Sequence, residues 1–352
     1  MRAAVYHGRE DVRIEDVPEP VAGPGEVLVR VGYNGICGSD LHEFFGGPLG
    51  IPTTPHPLTG AQVPVILGHE FGGWVEAVGE GVDDLEVGAL VAVDPIHTCG
   101  RCAQCRKGAT NLCVMAAFHG LMARGGGLSE RTVVERRMVH ELPAGLDARH
   151  AALVEPMAVS LRSVRRAEVE AGQRVLIFGG GPIGLGAFFG ARWLGADPIM
   201  VEPSADRRAI LQDVGASVVL DPTTDDVVSA VRDLTDGEGV PATIDAVALP
   251  STFATAFEAT TRGGNVVVVG IPHEPLPFDA IAMFISEITL RASNAYADDF
   301  AETIAAMAGG AYPTERWVSS IALDDLVSGG FDVLREGRAM KILVDLGAGA
   351  GR

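Results

Sequence analysis

Residues 174–202 constrain the fold of this chain more than any other stretch. RVLIF (174–178) is a short apolar and β-branched run. It leads into Gly179-Gly180-Gly181-Pro182-Ile183-Gly184, which sets G-x-G-x-x-G at Gly179, Gly181 and Gly184. LGAFFGARWLGA then continues with helix-compatible apolar spacing, and a second strand-like run, PIMVE, ends on Glu202. Strand, glycine loop, helix, strand and acid in that order predict a Rossmann unit that binds a dinucleotide. The glycines let the backbone approach a pyrophosphate. Pro182 and Ile183 lie in the loop expected to meet the cofactor, and the helix that follows turns its N-terminal N–H groups and the positive end of its dipole to the phosphates. Glu202 is placed to accept hydrogen bonds from the adenosine ribose hydroxyls and to repel a 2′-phosphate, so NAD is expected rather than NADP. Arg207 and Arg208 follow closely and soften that repulsion. The competing reading of the glycines is a purely structural turn.

The same alternation continues downstream. VVLD (218–221), ATIDAVA (242–248), the apolar run 265–269 and EITLRASNAY (287–296) read as further strands, and 251–261 reads as a helix. About six strands with helical connections fit a doubly wound parallel sheet. At 352 residues the chain is long enough for about two domains, and the α/β domain accounts for one of them. The stretch 46–64, rich in Gly and Pro, reads as an ordered loop of the kind that often serves as a lid.

Four of the five cysteines lie within fifteen residues, as C-x2-C-x2-C-x7-C at Cys99, Cys102, Cys105 and Cys113. Four thiolates on a tight loop suit tetrahedral Zn²⁺ and leave no open corner, which describes a structural site. Gly100 and Gly108 permit the sharp turns. The bacterial ferredoxin spacing is C-x2-C-x2-C-x3-C-P, and here Val114 follows the last cysteine. Chance clustering of small apolar residues is the remaining alternative. The fifth cysteine, Cys37, sits in GICGSDLH, His69 and Glu70 in VILGHEFGG, and Glu155 in ALVEPMAV. Thiolate, imidazole and carboxylate are acceptable ligands for a catalytic zinc, which needs three protein ligands and an open corner. Taken one at a time, these residues also read as a buried small hydrophobe, a satisfied core histidine and a carboxylate at a helix N-terminus before Pro156.

Composition narrows the class. Lys and Arg number 27 against 46 Asp and Glu, giving a formal charge of −19. That charge repels phosphate backbones and argues against a nucleic-acid partner. No run of 18 apolar residues offers a membrane span. The first twenty residues lack the apolar core of a secretory signal, so a cytoplasmic location, with thiols kept reduced, is expected.

With these motifs in place, the chain resembles the zinc-containing medium-chain alcohol dehydrogenases from Met1 to about Leu346. The resemblance rests on GICGSDLH, GHEFGGWVEAVGEGV, the four-cysteine lobe, ALVEPMAVSLRSVRRA and GGGPIG. Within that family it is most similar to the polyol and vicinal-diol branch, which includes sorbitol and (R,R)-2,3-butanediol dehydrogenases. DLHEFFGGP leading into HPLTGAQVPVILGHE, EPSADRR, and SNAYADDFAETIAAM with IALDDLVSGGFDVL favour the butanediol side.

The resemblance implies a GroES-like, mainly-β catalytic domain formed by 1–153 and 296–352, with a Rossmann domain at 154–295 inserted. It implies two zinc ions per chain. Cys99, Cys102, Cys105 and Cys113 would hold the structural one, and Cys37, His69 and Glu155 the catalytic one, with Glu70 as an alternative or exchanging ligand. The long-known alcohol dehydrogenases use cysteine where this chain has Glu155. Ser39 and then His42 would carry the substrate proton outward, and Asp40 would orient His69. Gly270, Ile271, Ala295 and Tyr296 would approach the nicotinamide, and Lys341 would either reach the pyrophosphate or stand as a plain surface lysine. Phe44, His56 and Phe118 would wall the substrate.

The implied reaction is hydride transfer between NAD and a secondary alcohol or vicinal diol, with 2,3-butanediol and acetoin foremost. The alternatives are a sorbitol- or xylitol-type polyol dehydrogenase, a threonine dehydrogenase, a zinc-free enone or quinone reductase, and a non-catalytic binding protein on the same scaffold. The resemblance also implies a homodimer or homotetramer, with the 287–292 strand pairing across a two-fold axis or standing as an isolated edge.

Overall fold

In the computed structural model, which describes residues 1–347, the chain divides into two units. The second, Pro156–Arg316, is built on a six-stranded parallel sheet. Its strands run in the order Val218–Leu220, Asp197–Val201, Arg174–Phe178, Val240–Asp245, Thr260–Val268 and Thr289–Ala292. In chain order that is 3-2-1-4-5-6, the dinucleotide-binding order. The strands are apolar runs because helices cover both faces. Leu176, Ile177, Phe178, Ile199, Val201 and Ile244 are all buried. Phe178 pairs with Val201 on one side and with Asp245 on the other, and Asp245 pairs with Val268. The carboxyl ends of four strands are therefore level, and the residues just past them share one edge of the sheet.

The division between units falls at Arg316, later than the 295 expected. The helix Phe300–Ala308 and the segment after it belong with the parallel sheet. Tyr312 packs edge-on against Phe189, and Asp299 pairs with Arg162 at 3.1 Å.

The first unit, Met1–Glu155 with the chain from Trp317 onward, is mainly β. Its seven-stranded sheet is centred on Glu26–Gly35, flanked by Glu70–Val78, Arg131–Glu135 and Lys341–Asp345. Gly35 faces Glu70 across one neighbour and Leu343 across the other. This register is what later brings Glu70 and Lys341 together. A smaller sheet joins Arg2–Gly8 to Asp11–Asp16 and Val65–Ile66. No helix among the described residues is long and apolar enough to cross a membrane.

The loop 47–64 has no regular element, yet it is tied down at its start. Glu43, on the helix Gly38–Gly46, is buried and accepts backbone N–H bonds from Leu49 at 2.9 Å, from Gly50, and from Ile51 at 3.3 Å. Glu43→Ala would leave three donors without that acceptor. It is expected to lower stability by roughly 2–4 kcal/mol in urea unfolding. A loss too small to measure would show that the loop holds its own shape.

Candidate active site

The four cysteines form one cluster. All five cysteines of the chain are free thiols, and the sulfurs of Cys99, Cys102, Cys105 and Cys113 lie within 4.8 Å of one another. Cys102 and Cys105 are 3.5 Å apart, Sγ to Sγ. A zinc tetrahedron with ordinary Zn–S bonds has S···S edges of about 3.8 Å, so the cluster has the right size. Backbone N–H groups of Cys99 and Met115 point at the Cys113 sulfur at 3.3 and 3.4 Å. Similar donors, with Cys105 first, hold the Cys102 thiol down to about 6. Two single-turn 3₁₀ segments, Cys105–Lys107 and Thr110–Leu112, carry the chain around the cluster.

A second cluster gathers residues far apart in sequence. Cys37, His69 and Glu70 each place a ligand atom within 4.8 Å of the others. Cys37 N-caps the helix Gly38–Gly46, and Glu70 starts the strand Glu70–Val78 directly after His69. Asp40 organises two of the three. Its Oδ2 accepts the Cys37 N–H at 2.9 Å, and its Oδ1 faces His69 Nδ1 at 3.6 Å. His69 Nε2 is then the nitrogen left to the site, and it lies 3.0 Å from Ser39 Oγ. Glu155 is buried on the helix Ala148–Ala167 and stands outside the three-residue group. Burial first, then the Glu70 charge, pushes the Glu155 carboxyl well above its usual range. Burial likewise drives the Cys37 thiol to about 12 and raises Asp40. A thiol, an imidazole and a carboxylate gathered in this way make a donor set that suits a divalent cation.

The dinucleotide loop sits at the level edge of the parallel sheet. Gly179 has φ of +96°, which a side chain rarely adopts. A Cβ at Gly184 would collide with the Gly179 carbonyl, so the helix can approach the strand only through glycine. A Cβ at Gly181 would meet nothing closer than Arg207 Nη1 at 3.8 Å, so that face stays open to a ligand. Gly181 is the N-cap of the helix Pro182–Trp193, with Pro182 at its first position. Glu202 is buried, and its two oxygens accept the N–H groups of Gly180 at 2.6 Å and Ser204 at 2.8 Å. The adjoining cavity measures about 860 Å³ and is lined by Gly179, Gly181, Glu202, Arg207, Val247 and Thr252, among others. Arg208 donates to the Glu202 carbonyl at 3.0 Å and pairs with Asp221 at 2.8 Å.

Residues 23–144 match the family model described as alcohol dehydrogenase GroES-like domain, and residues 182–309 match the one described as zinc-binding dehydrogenase. The chain is 39% identical to (R,R)-butanediol dehydrogenase of Bacillus subtilis, over 98% of this chain and 99% of that one. This chain belongs to the zinc-binding alcohol dehydrogenase family. The crystal structure of 2R,3R-butanediol dehydrogenase from Bacillus subtilis superimposes on this dehydrogenase with a TM-score of 0.92, at 38% identity, covering 98% and 99% of the two chains. The sorbitol dehydrogenase of the same organism is 32% identical over 91% of this chain and 89% of its own. A zinc-binding dehydrogenase from Sinorhizobium meliloti 1021, solved bound to NADP, has a TM-score of 0.88 at 32% identity, covering 98% of each chain.

Several expected positions in the dehydrogenase differ from the sequence reading. Lys341 does not reach toward a pyrophosphate. It is 2% exposed, and its Nζ donates to the Ile36 carbonyl at 2.9 Å and is ion-paired with Glu70. Phe44 is a core residue, packed on Phe331 with ring centroids 5.0 Å apart. Tyr296 is fully buried, with its ring against Phe300, and presents no surface to a ligand. Phe118 does stand edge-on to His69 at 6.4 Å. The His56 ring nitrogen Nδ1 accepts the Leu58 N–H at 3.2 Å within its own loop. His42 lies on the same helix as Ser39, three residues on, which puts both on one face. Ile271 is exposed just after Gly270, and Ala295 has a positive φ of 49°. Val247, Leu249 and Thr252, which line the cavity beside the glycine loop, carry no motif. The doubly wound order points to them, because ligands bind where the strand order reverses.

Proposed function

We propose that this protein is an NAD-dependent dehydrogenase of secondary alcohols or vicinal diols, with 2,3-butanediol and acetoin as its substrate pair. The observation that carries the reading is the convergence of Cys37, His69 and Glu70, three soft-to-hard donors of which Asp40 holds the first two, around one point. Two zinc ions per chain follow from two donor clusters, and Glu155, outside the direct group, would join the catalytic ion through water. Zinc, when bound, supplies Lewis acidity toward a hydroxyl, and NAD supplies the hydride acceptor.

The chain's own residues do the rest. Asp40 fixes the ring of His69 and the backbone of Cys37, so the donors keep their geometry. Ser39, whose hydroxyl already lies 3.0 Å from a ligand nitrogen, receives the substrate proton. His42, one helical turn on, passes it outward, since an imidazole exchanges protons near neutrality. Phe118 forms an apolar wall against which the carbon skeleton of a small diol can lie. We assign the work to the cytoplasm and the assembly to a homodimer or homotetramer. The outer strand Thr289–Ala292, paired on one side only among the described residues, supports an edge-to-edge contact, as do the exposed Ile281 and Phe284 on the helix before it.

The test is NADH formation at 340 nm from NAD⁺ with (R,R)-2,3-butanediol, with sorbitol alongside. Strong turnover of butanediol and little of sorbitol is expected. Turnover of sorbitol alone would move the enzyme to the polyol branch, and turnover of neither would overturn the substrate assignment. Glu202→Ala is expected to raise the KM for NAD⁺ by roughly tenfold to a hundredfold, the value of a charged hydrogen bond, while the KM for NADP⁺ falls. Parallel increases in both KM values would show that Glu202 holds the loop and does not select the cofactor.

A further inference from the structure

Lys341 is a cation buried among acids. It contacts Glu70 directly. Its stem is enclosed as well. A Cβ at Gly35 would lie 3.0 Å from Lys341 Cε and would run into the Glu70 carboxylate, so a glycine there leaves room for the pair. Two anchors fix the ammonium, the Ile36 carbonyl and the Oε2 oxygen of Glu70. One of the two Glu70 oxygens is therefore committed to Lys341. An oxygen that accepts an ammonium hydrogen bond is the weaker donor of the pair, so a carboxylate held in this way offers a metal the other oxygen first.

We propose that Lys341 is a positioning residue that restricts Glu70 to single-oxygen ligation and thereby keeps a corner of the catalytic metal open for substrate. The inference rests on the reading of Cys37, His69 and Glu70 as the catalytic metal site. It orders a series by how many Glu70 oxygens residue 341 occupies. Methionine, of similar length, occupies none, lysine one, and the planar fork of arginine both. The rate at which a chelator strips zinc from the catalytic site should follow that order. Against wild type, Lys341→Met should release it at least about tenfold more slowly and Lys341→Arg at least about tenfold faster. With cobalt in place of zinc, Lys341→Met should show the weaker visible absorption of a higher coordination number.

The experiment is chelator-driven metal release and cobalt absorption on the full-length wild type and both variants, with total zinc measured first. Release in the predicted order, with the cobalt change, supports the proposal. Equal rates and an unchanged spectrum, or faster release from Lys341→Met, overturn it while leaving the two-zinc reading intact. Fewer than two zinc ions on the wild type would overturn both. Should Lys341→Met fail to fold, Lys341→Arg, which keeps the charge, decides alone. Release unchanged or slower than wild type then overturns the proposal.

Discussion

Cys37→Ser is expected to lower butanediol turnover by roughly 10³-fold or more, because Lewis-acid stabilisation of developing charge is worth several kcal/mol. The same variant should carry one zinc per chain instead of two. Cys37 sits at the N-cap of the helix that also bears Asp40, Ser39 and His42, and its own N–H is held by Asp40. Serine keeps that backbone bond and the helix start, so the variant should melt near wild type. Only the soft donor is lost. Metal analysis, a melting curve and a 340 nm assay on one preparation separate the outcomes. Activity within about tenfold of wild type at one zinc per chain would show that the cluster is not the reaction centre.

Cys102→Ala should act in the opposite pattern, costing stability before chemistry. The loop from Cys99 to Cys113 contains two short 3₁₀ turns and buries little besides Asn111 and Cys113. It has no core of its own, so the metal must supply its order, as in small zinc-folded segments where binding is worth roughly 10–16 kcal/mol. Removing one thiolate should release the ion and lower Tm by about 10 °C, which corresponds to several kcal/mol in a protein of this size. Arg101, Arg106 and Lys107 are exposed on that loop, so trypsin reports its order directly. Rapid cleavage there in the variant, and resistance in the wild type, is the expected result. Equal resistance in both would mean that protein contacts hold the lobe.

The two features that were legible from local sequence are those whose geometry closes over a short span. Four thiols within fifteen residues can meet around one ion with little help from the rest of the chain, and they do lie within one cluster. The glycine fingerprint is equally local. Gly179 needs its positive φ, and Gly184 must lie against the Gly179 carbonyl, whatever else the chain does. Strand order was less accessible. Six apolar runs alternating with helices imply a doubly wound sheet, but only the pairing of Arg174–Phe178 with both Asp197–Val201 and Val240–Asp245 locates the switch point and the cavity beside it.

Motif alone failed where burial decides. Phe44, expected to wall the substrate, packs on Phe331, and Tyr296, expected to approach the nicotinamide, has no exposed surface. An aromatic residue gives the same sequence signal whether it lines a pocket or fills a core, because the apolar area is the same in both. Lys341 is the clearest case. A lone lysine near the C-terminus reads as a surface or phosphate-binding charge, yet strand pairing across Gly35 carries it beside Glu70 and next to a carbonyl 305 residues away in the chain.

Residues that act within their own loop, in the four-cysteine lobe and the dinucleotide turn, are readable from the order of amino acids, because short chain segments fix their own distances. The tertiary structure decided which of the scattered acids and bases meet. The convergence of Cys37, His69 and Glu70, the exclusion of Glu155 from their direct group, and the seating of Lys341 on Glu70 all depend on the register of strands distant in sequence, and long-range register is set by packing of the whole sheet rather than by any local preference.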